Sequence, residues 1–203
     1  MKKVIVISGA SKGLGKDIMD ALSNYNIATI SRSSYNIESA NRLVVQGSIT
    51  NAGDAGILMY KTFEKWGRID VLINNAGMLG EFKSLTEYPE WEVDDLIDLN
   101  IKGTFYMTQE AIKLMKEGLI INIGSTRSIT GAPNKSIYTM SKFALRGLTQ
   151  CINAEYNPRI YSTIVCPGNF KTVSTKEIAK IIKILIKLPK ECAVPEIILG
   201  GKL

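Results

Sequence analysis

Apolar residues fall along the chain in short runs of strand length, separated by longer segments of helical period. The runs predict strands over Lys3–Ser8, Ile27–Ser31, Arg42–Gln46, Asp70–Asn74, Leu119–Ser125, Tyr161–Cys166 and Glu196–Leu199. The helical spacings predict helices over Leu14–Asn24, Ala52–Trp66, Glu90–Asp98, Ile101–Glu117, Tyr138–Asn157 and Thr175–Leu188. Strict alternation of this kind implies an α/β fold, a doubly wound parallel sheet of about seven strands flanked by helices. A right-handed wind gives the strand order 3-2-1-4-5-6-7 and puts a ligand crevice at the carboxyl ends, between strands 1 and 4. Residues that carry chemistry are therefore expected just after strands. Gly67 and Gly118 are expected to close helices, and Ser174 with Glu177 has the spacing of a capping box. The connection from Arg32 to Asn41 is short and polar, with room for a fragment of helix at most.

Composition narrows this picture. At 203 residues, 45% hydrophobic and 22% charged, the chain supports one buried core, so residues 1–203 are read as a single domain. No run of about 18 apolar residues is present, and Met1–Ile7 reads as a strand rather than a leader. A cytoplasmic protein without membrane attachment is expected. Cys151, Cys166 and Cys192 are widely spaced and form no CxxC, which argues against disulfides and structural zinc. Histidine is absent, so histidine triads and bases are excluded and no metal is expected. Acid/base work falls to Tyr, Lys, Cys, Asp or Glu. The net charge of +6 is spread without a dense basic run or interleaved aromatics, which reads as a basic surface rather than a nucleic-acid interface. It leaves room for an anionic substrate or carrier.

Three constellations stand where the topology expects chemistry. After strand 1 comes Ser8-Gly9-Ala10-Ser11-Lys12-Gly13-Leu14-Gly15. Gly9 permits a tight exit turn, Gly13 lets backbone approach a pyrophosphate, and Gly15 allows close helix–strand packing, with the helix N-terminus facing the anion. At the end of strand 2 the chain reads Ser31-Arg32, where a carboxylate would favour an unphosphorylated ribose. Arg32 can grip a 2′-phosphate, and Lys12 can add a second charge. Tyr138 and Lys142 lie four residues apart on one helix face, and an ammonium beside a phenol lowers its pKa toward the working range. Ser125 ends strand 5 and Asn74-Asn75-Ala76-Gly77 follows strand 4, both at the crevice edge. Singly, these are a glycine turn, exposed cations, a common spacing and ordinary turn residues. Their joint order is what points to a dinucleotide enzyme.

That order resembles the short-chain dehydrogenases/reductases, in their compact branch, over essentially the whole chain. The likeness rests on Gly9, Gly13 and Gly15, Asn74-Asn75-Ala76-Gly77, Ser125 thirteen residues before Tyr138, Lys142, and Cys166-Pro167-Gly168. It implies a Rossmann-type fold and an NADP(H)-dependent oxidoreductase moving hydride between nicotinamide and a carbonyl/alcohol pair. By the same resemblance Tyr138 is the acid/base, Ser125 orients the carbonyl, Lys142 also binds the nicotinamide ribose, and Asn100 holds a relay water through a local helix distortion. Cofactor contacts would come from Gly9, Ser11, Lys12, Gly13, Leu14, Gly15, Ser31, Arg32, Ser48, Asn75, Ala76, Gly77, Tyr138, Lys142, Pro167, Gly168, Phe170 and Thr172. Asn75 would sit beside the adenosine ribose and Thr172 at the nicotinamide carboxamide.

Two departures stand out. Ser48 occupies the place of the family's adenine-contacting aspartate, and only Val173 and Ser174 separate Thr172 from the next helix, where relatives often carry a substrate lid. A short lid implies a shallow pocket and broad specificity. Leu79, Gly80, Arg127, Ile129 and Phe170 flank the expected site, but the substrate itself is not readable. Phe105, Met107, Phe143 and Leu148 exceed a single core-facing stripe, and with the family likeness imply a homodimer or homotetramer. A non-catalytic NADP(H)-binding sensor or scaffold remains a competing reading, as does an extended sugar-nucleotide epimerase, which would add a substrate domain.

Overall fold

The computed structural model describes residues 2–33, 39–170 and 173–200. Seven parallel strands form one sheet: β1 (Val4–Ser8), β2 (Asn26–Ser31), β3 (Arg42–Gln46), β4 (Val71–Asn74), β5 (Gly118–Ile123), β6 (Ile160–Pro167) and β7 (Glu196–Leu199). Their order is β3-β2-β1-β4-β5-β6-β7, as the alternation predicts. The flanking helices are α1 (Gly13–Ala21), α2 (Ala52–Trp66), α3 (Glu90–Leu96), α4 (Thr104–Leu114), α5 (Ser136–Tyr156) and α6 (Thr175–Leu185).

The period-two geometry of β1 explains the two layers. Ile5 and Ile7 pack with Ile18 and Leu22 of the α1 side and Ile178 and Ile182 of α6. Val6 points the other way, among Leu58 and Met59 of α2, Met107 of α4 and Ile152 of α5. Each such fully buried aliphatic chain contributes about 1.5–3 kcal/mol against exposure. The sheet is thus apolar on both faces, and its strands read as continuous hydrophobic runs.

Gly67 closes α2 in the left-handed region at φ 70°, and Ser174 and Glu177 form the reciprocal cap of α6. Gly118 does not close a helix. It begins β5, while α4 ends at Leu114 with an extended Met115. A Cβ at Gly118 would collide with the Asp70 carbonyl, so close approach of β5 to β4 is what requires glycine there. Met107 is likewise corrected to a core residue, fully buried, and Leu148 packs against the same layer. Phe105 and Phe143 do face outward. Of the crossover after β2, residues 34–38 lie outside the described residues. No helix of the described residues is long and apolar enough to cross a membrane.

Between α3 and α4 the chain does not break. Ile97–Gly103 winds as a wide π-helical turn that joins the two helices into one column. The gap expected at Leu99-Asn100 is this turn.

Candidate active site

The glycine loop meets the β4 exit through hydrogen bonds of short reach. The Ser8 hydroxyl accepts the N–H groups of Asn75 (3.1 Å) and Ala76 (3.0 Å). Asn75 Nδ2 returns bonds to the carbonyls of Ser8 (3.1 Å) and Gly9 (2.9 Å). A Cβ on Gly9 would stand 2.9 Å from Ala76 Cα, and one on Gly15 would strike the Gly9 carbonyl, so both glycines are needed for approach of backbone to backbone. Gly13 differs. Its φ is +55° and nothing lies within 4 Å of where a Cβ would be. Lys12, the N-cap of α1, makes no side-chain cap bond, so the first N–H groups of the helix are left for an outside acceptor. An open glycine face above uncapped helix donors fits a pyrophosphate.

Ser31 ends β2, and its carbonyl accepts the Gly47 N–H at 2.9 Å. Arg32 and Lys12 are exposed and form no ion pair among the described residues. Ser48 lies after β3, its hydroxyl 2.9 Å from that of Thr50. A carboxylate is present at this turn after all: Asp54 reaches back from the first turn of α2 and accepts the Ser48 N–H at 2.9 Å. Ser11 is exposed, and Leu14 turns its side chain into the core, leaving only its backbone for a ligand.

The proposed reacting groups converge at the β4 and β5 ends. Asn100, buried on the π-helical turn, clamps Met78 by accepting its N–H (2.8 Å) and donating to its carbonyl (2.9 Å). The same amide donates to Ser141 Oγ (3.0 Å), and Ser141 donates to the Tyr138 carbonyl (2.7 Å). A Cβ on Gly77 would lie 3.2 Å from Asn100 Oδ1 and 3.7 Å from Lys142 Nζ, which shows how tightly these residues gather. Lys142 donates to the Ile123 carbonyl at 2.9 Å, and its ammonium stands 5.6 Å from the centre of the Tyr138 ring.

Ser125 is not the last residue of strand 5. β5 stops at Ile123, and Ser125 caps a short 3-10 turn over Thr126–Ser128. Its N–H is taken by the hydroxyl of Ser128 (3.2 Å), which ends the ladder, and its own Oγ accepts the Arg127 N–H (3.1 Å). That second bond occupies one lone pair of Ser125, whose hydroxyl also hydrogen-bonds the Tyr138 phenol.

Electrostatics correct one expectation. Burial raises the Tyr138 phenol above its ordinary value, while hydrogen bonding to Ser125 and the charge of Arg127 pull it down. Lys142 is not the group that lowers it. Burial instead pushes the Lys142 ammonium down to about 8, the nearby Cys166 only partly opposing it, because the lysine charge is desolvated. Cys166, also buried here, has its thiol raised by desolvation.

Pro167 ends β6, and Gly168 donates to the Leu199 carbonyl at 2.8 Å. A Cβ on Gly168 would collide with the Gly200 carbonyl, so glycine serves the close passage of the chain beyond β7. Phe170 is exposed on the following loop, and Thr172 lies outside the described residues. Thr175, opening α6, donates to Asp17 of α1 at 2.5 Å. A separate cavity of about 150 Å³ lies at the amino ends of the strands, beside Asp70, Tyr161 and Leu188, remote from these groups.

Sequence reasoning missed Ser8, Asp54, Ser128 and Ser141. Only Ser8 carried a signal, a hydroxyl at the carboxyl end of the strand that must adjoin β4.

Residues 3–182 match the family described as short chain dehydrogenase. The chain is 31% identical to a 3-oxoacyl-(acyl-carrier-protein) reductase of Buchnera aphidicola, over 93% of this chain and 82% of that protein. An alcohol dehydrogenase from Thermococcus sibiricus, solved with 5-hydroxy-NADP, superposes with a TM-score of 0.87 at 28% identity, covering 97% of this chain and 95% of that one. Serine dehydrogenase from Escherichia coli shares the fold, with a TM-score of 0.90 at 20% identity over 97% and 96% of the two chains.

Proposed function

The chain belongs to the short-chain dehydrogenase family, and from that premise we propose that it is an NADP(H)-dependent reductase or dehydrogenase acting on a carbonyl/alcohol pair. The observation that carries this reading is the gathering of Asn100, Ser125, Tyr138 and Lys142 at the strand ends that also bear the glycine loop. When bound, NADP(H) supplies or takes up the hydride. The glycine loop, Asn75 and Lys142 would hold it, with Arg32 and Lys12 on a 2′-phosphate. The NADP-type ligand in the Thermococcus sibiricus structure supports the same choice.

Ser125 donates its hydroxyl proton to the substrate oxygen and fixes the carbonyl. Tyr138 Oη then delivers a proton to that oxygen in reduction, and burial keeps the phenol protonated for this role. Lys142 Nζ, with its pKa near 8, holds a proton loosely enough to restore it to Tyr138. Oxidation runs the same transfers backwards. Association through α4 and α5, where Phe105, Met140 and Phe143 are exposed, belongs to this proposal as a dimer or tetramer, and a monomeric mass by light scattering would remove it.

The test is NADPH oxidation across aldehydes, ketones, quinones, pteridines and 3-oxoacyl thioesters. Turnover of at least one class is expected. Tight NADPH binding with no oxidation by any class would favour a binding protein instead.

A further inference from the structure

Between Ile123 and Lys135 the chain carries one charged residue, Arg127. Its backbone N–H is bonded to Ser125 Oγ (3.1 Å), so the residue is anchored at the hydroxyl that faces the reacting oxygen. Its side chain folds back over its own loop, where Nη1 donates to the Gly131 carbonyl at 2.6 Å. Arg127 is partly buried, and its charge is felt at the Tyr138 phenol.

Three part-buried cations meet carboxylates, while the Arg42 guanidinium donates to the carbonyls of Tyr25 and Asn41. Lys83 pairs with Glu81 and Glu92, Arg68 with Asp70, and Arg146 with Glu196. Arg127 forms no such pair among the described residues, and Gly131 engages one of its donors. A guanidinium offers five donors in a planar fork that matches carboxylate or phosphate. The bond to Gly131 is exposed, so the remaining donors of the guanidinium stand open to an incoming anion. The short passage from Val173 into α6 leaves little chain to grip the remote part of a substrate from the other side.

Building on the proposed reaction, we infer that Arg127 binds an anionic group, carboxylate or phosphate, carried by the carbonyl substrate within a few bonds of the reacting carbon. The charge then orients the substrate on Ser125 and Tyr138, and neutral ketones lack that handle.

Two readouts test this with wild type, Arg127→Gln and Arg127→Lys. First, butanoate and inorganic phosphate are titrated calorimetrically into each protein in the presence of NADP+. Wild type should bind at least one of them, at least tenfold more tightly than Arg127→Gln, with Arg127→Lys between. Second, NADPH oxidation is compared for 4-oxopentanoate against its methyl ester, and for dihydroxyacetone phosphate against dihydroxyacetone. The charged member of at least one pair should be favoured at least tenfold in kcat/KM, through KM, and Arg127→Gln should bring that pair to near parity by raising the KM of the charged member. The two pairs tell carboxylate from phosphate. Equal anion binding by wild type and Arg127→Gln, no anion binding at all, or equal use of charged and neutral members would overturn the inference. Arg127-dependent anion binding without any NADPH oxidation would leave the anion site standing and remove the reductase proposal.

Discussion

At the end of the crevice near β5, Asn100, Ser128 and Lys142 are buried, and each is tied to named protein partners. At the β2 end, Arg32 and Lys12 stand in solvent, with no carboxylate to hold them among the described residues. The difference is one of when free energy is spent. Buried polar groups cost desolvation on folding and repay it with fixed geometry, which proton transfer at a single oxygen requires. Exposed cations cost the fold little and act when an anion arrives. Damage at the first end should therefore appear in rate and stability, and damage at the second in cofactor choice.

The sharpest break would come from Tyr138→Phe, which keeps the ring and removes the proton. A loss of at least about 10²-fold in kcat is expected, with NADPH affinity by fluorescence titration largely retained. Near wild-type turnover would show that the buried end does not house the acid.

Next in size is the pH response of Lys142. Its folded pKa is near 8, below the ordinary value of about 10.4 in an unfolded chain. As pH rises through that window the folded protein has released the proton while the unfolded chain still binds it, so stability rises with pH. Denaturant melts of wild type and Lys142→Met without cofactor should differ by about 2–3 kcal/mol less in Met's favour at pH 10.5 than at pH 7.5. A difference independent of pH would mean that Lys142 is not desolvated.

At the exposed end, Arg32→Ala should cost roughly 1.5–3 kcal/mol of NADPH binding and leave NADH binding and melting temperature nearly unchanged. Equal losses for both cofactors would refute the 2′-phosphate assignment. The smallest effect belongs to Ser128→Ala, about 1 kcal/mol, or several-fold in kcat, through loosening of Ser125. In a Ser125→Ala background the same change should add little to the rate loss, and full additivity would detach Ser128 from Ser125.

The two ends also differ in how well they can be read without coordinates. Gly9, Gly13, Gly15, Tyr138 and Lys142 are legible because each motif is local: a turn, or two residues one helical turn apart. The strand order follows from the same local alternation. Ser128, Ser141 and Asp54 are not legible, since what gives them work is a partner brought near by the fold. Ser141 matters because Asn100 arrives from a distant helix. Gly118 misleads for a related reason: glycine after a helix suggests a cap, yet the constraint is the neighbouring strand.

The wide turn at Ile97–Gly103 acts as a local insertion in the helical column. Each residue of an α-helix advances the chain by about 100°, and a π-helical turn commonly accommodates a residue beyond the α-helical count. Deleting Ile101 would let the column relax toward regular winding with α3 and α4 still in phase, and Asn100 within the turn would lose its aim. Met107 and Ala111 could keep their places in the core while the Met78 clamp came undone. A single codon thus separates a column that merely packs from one that also aims an amide into the crevice.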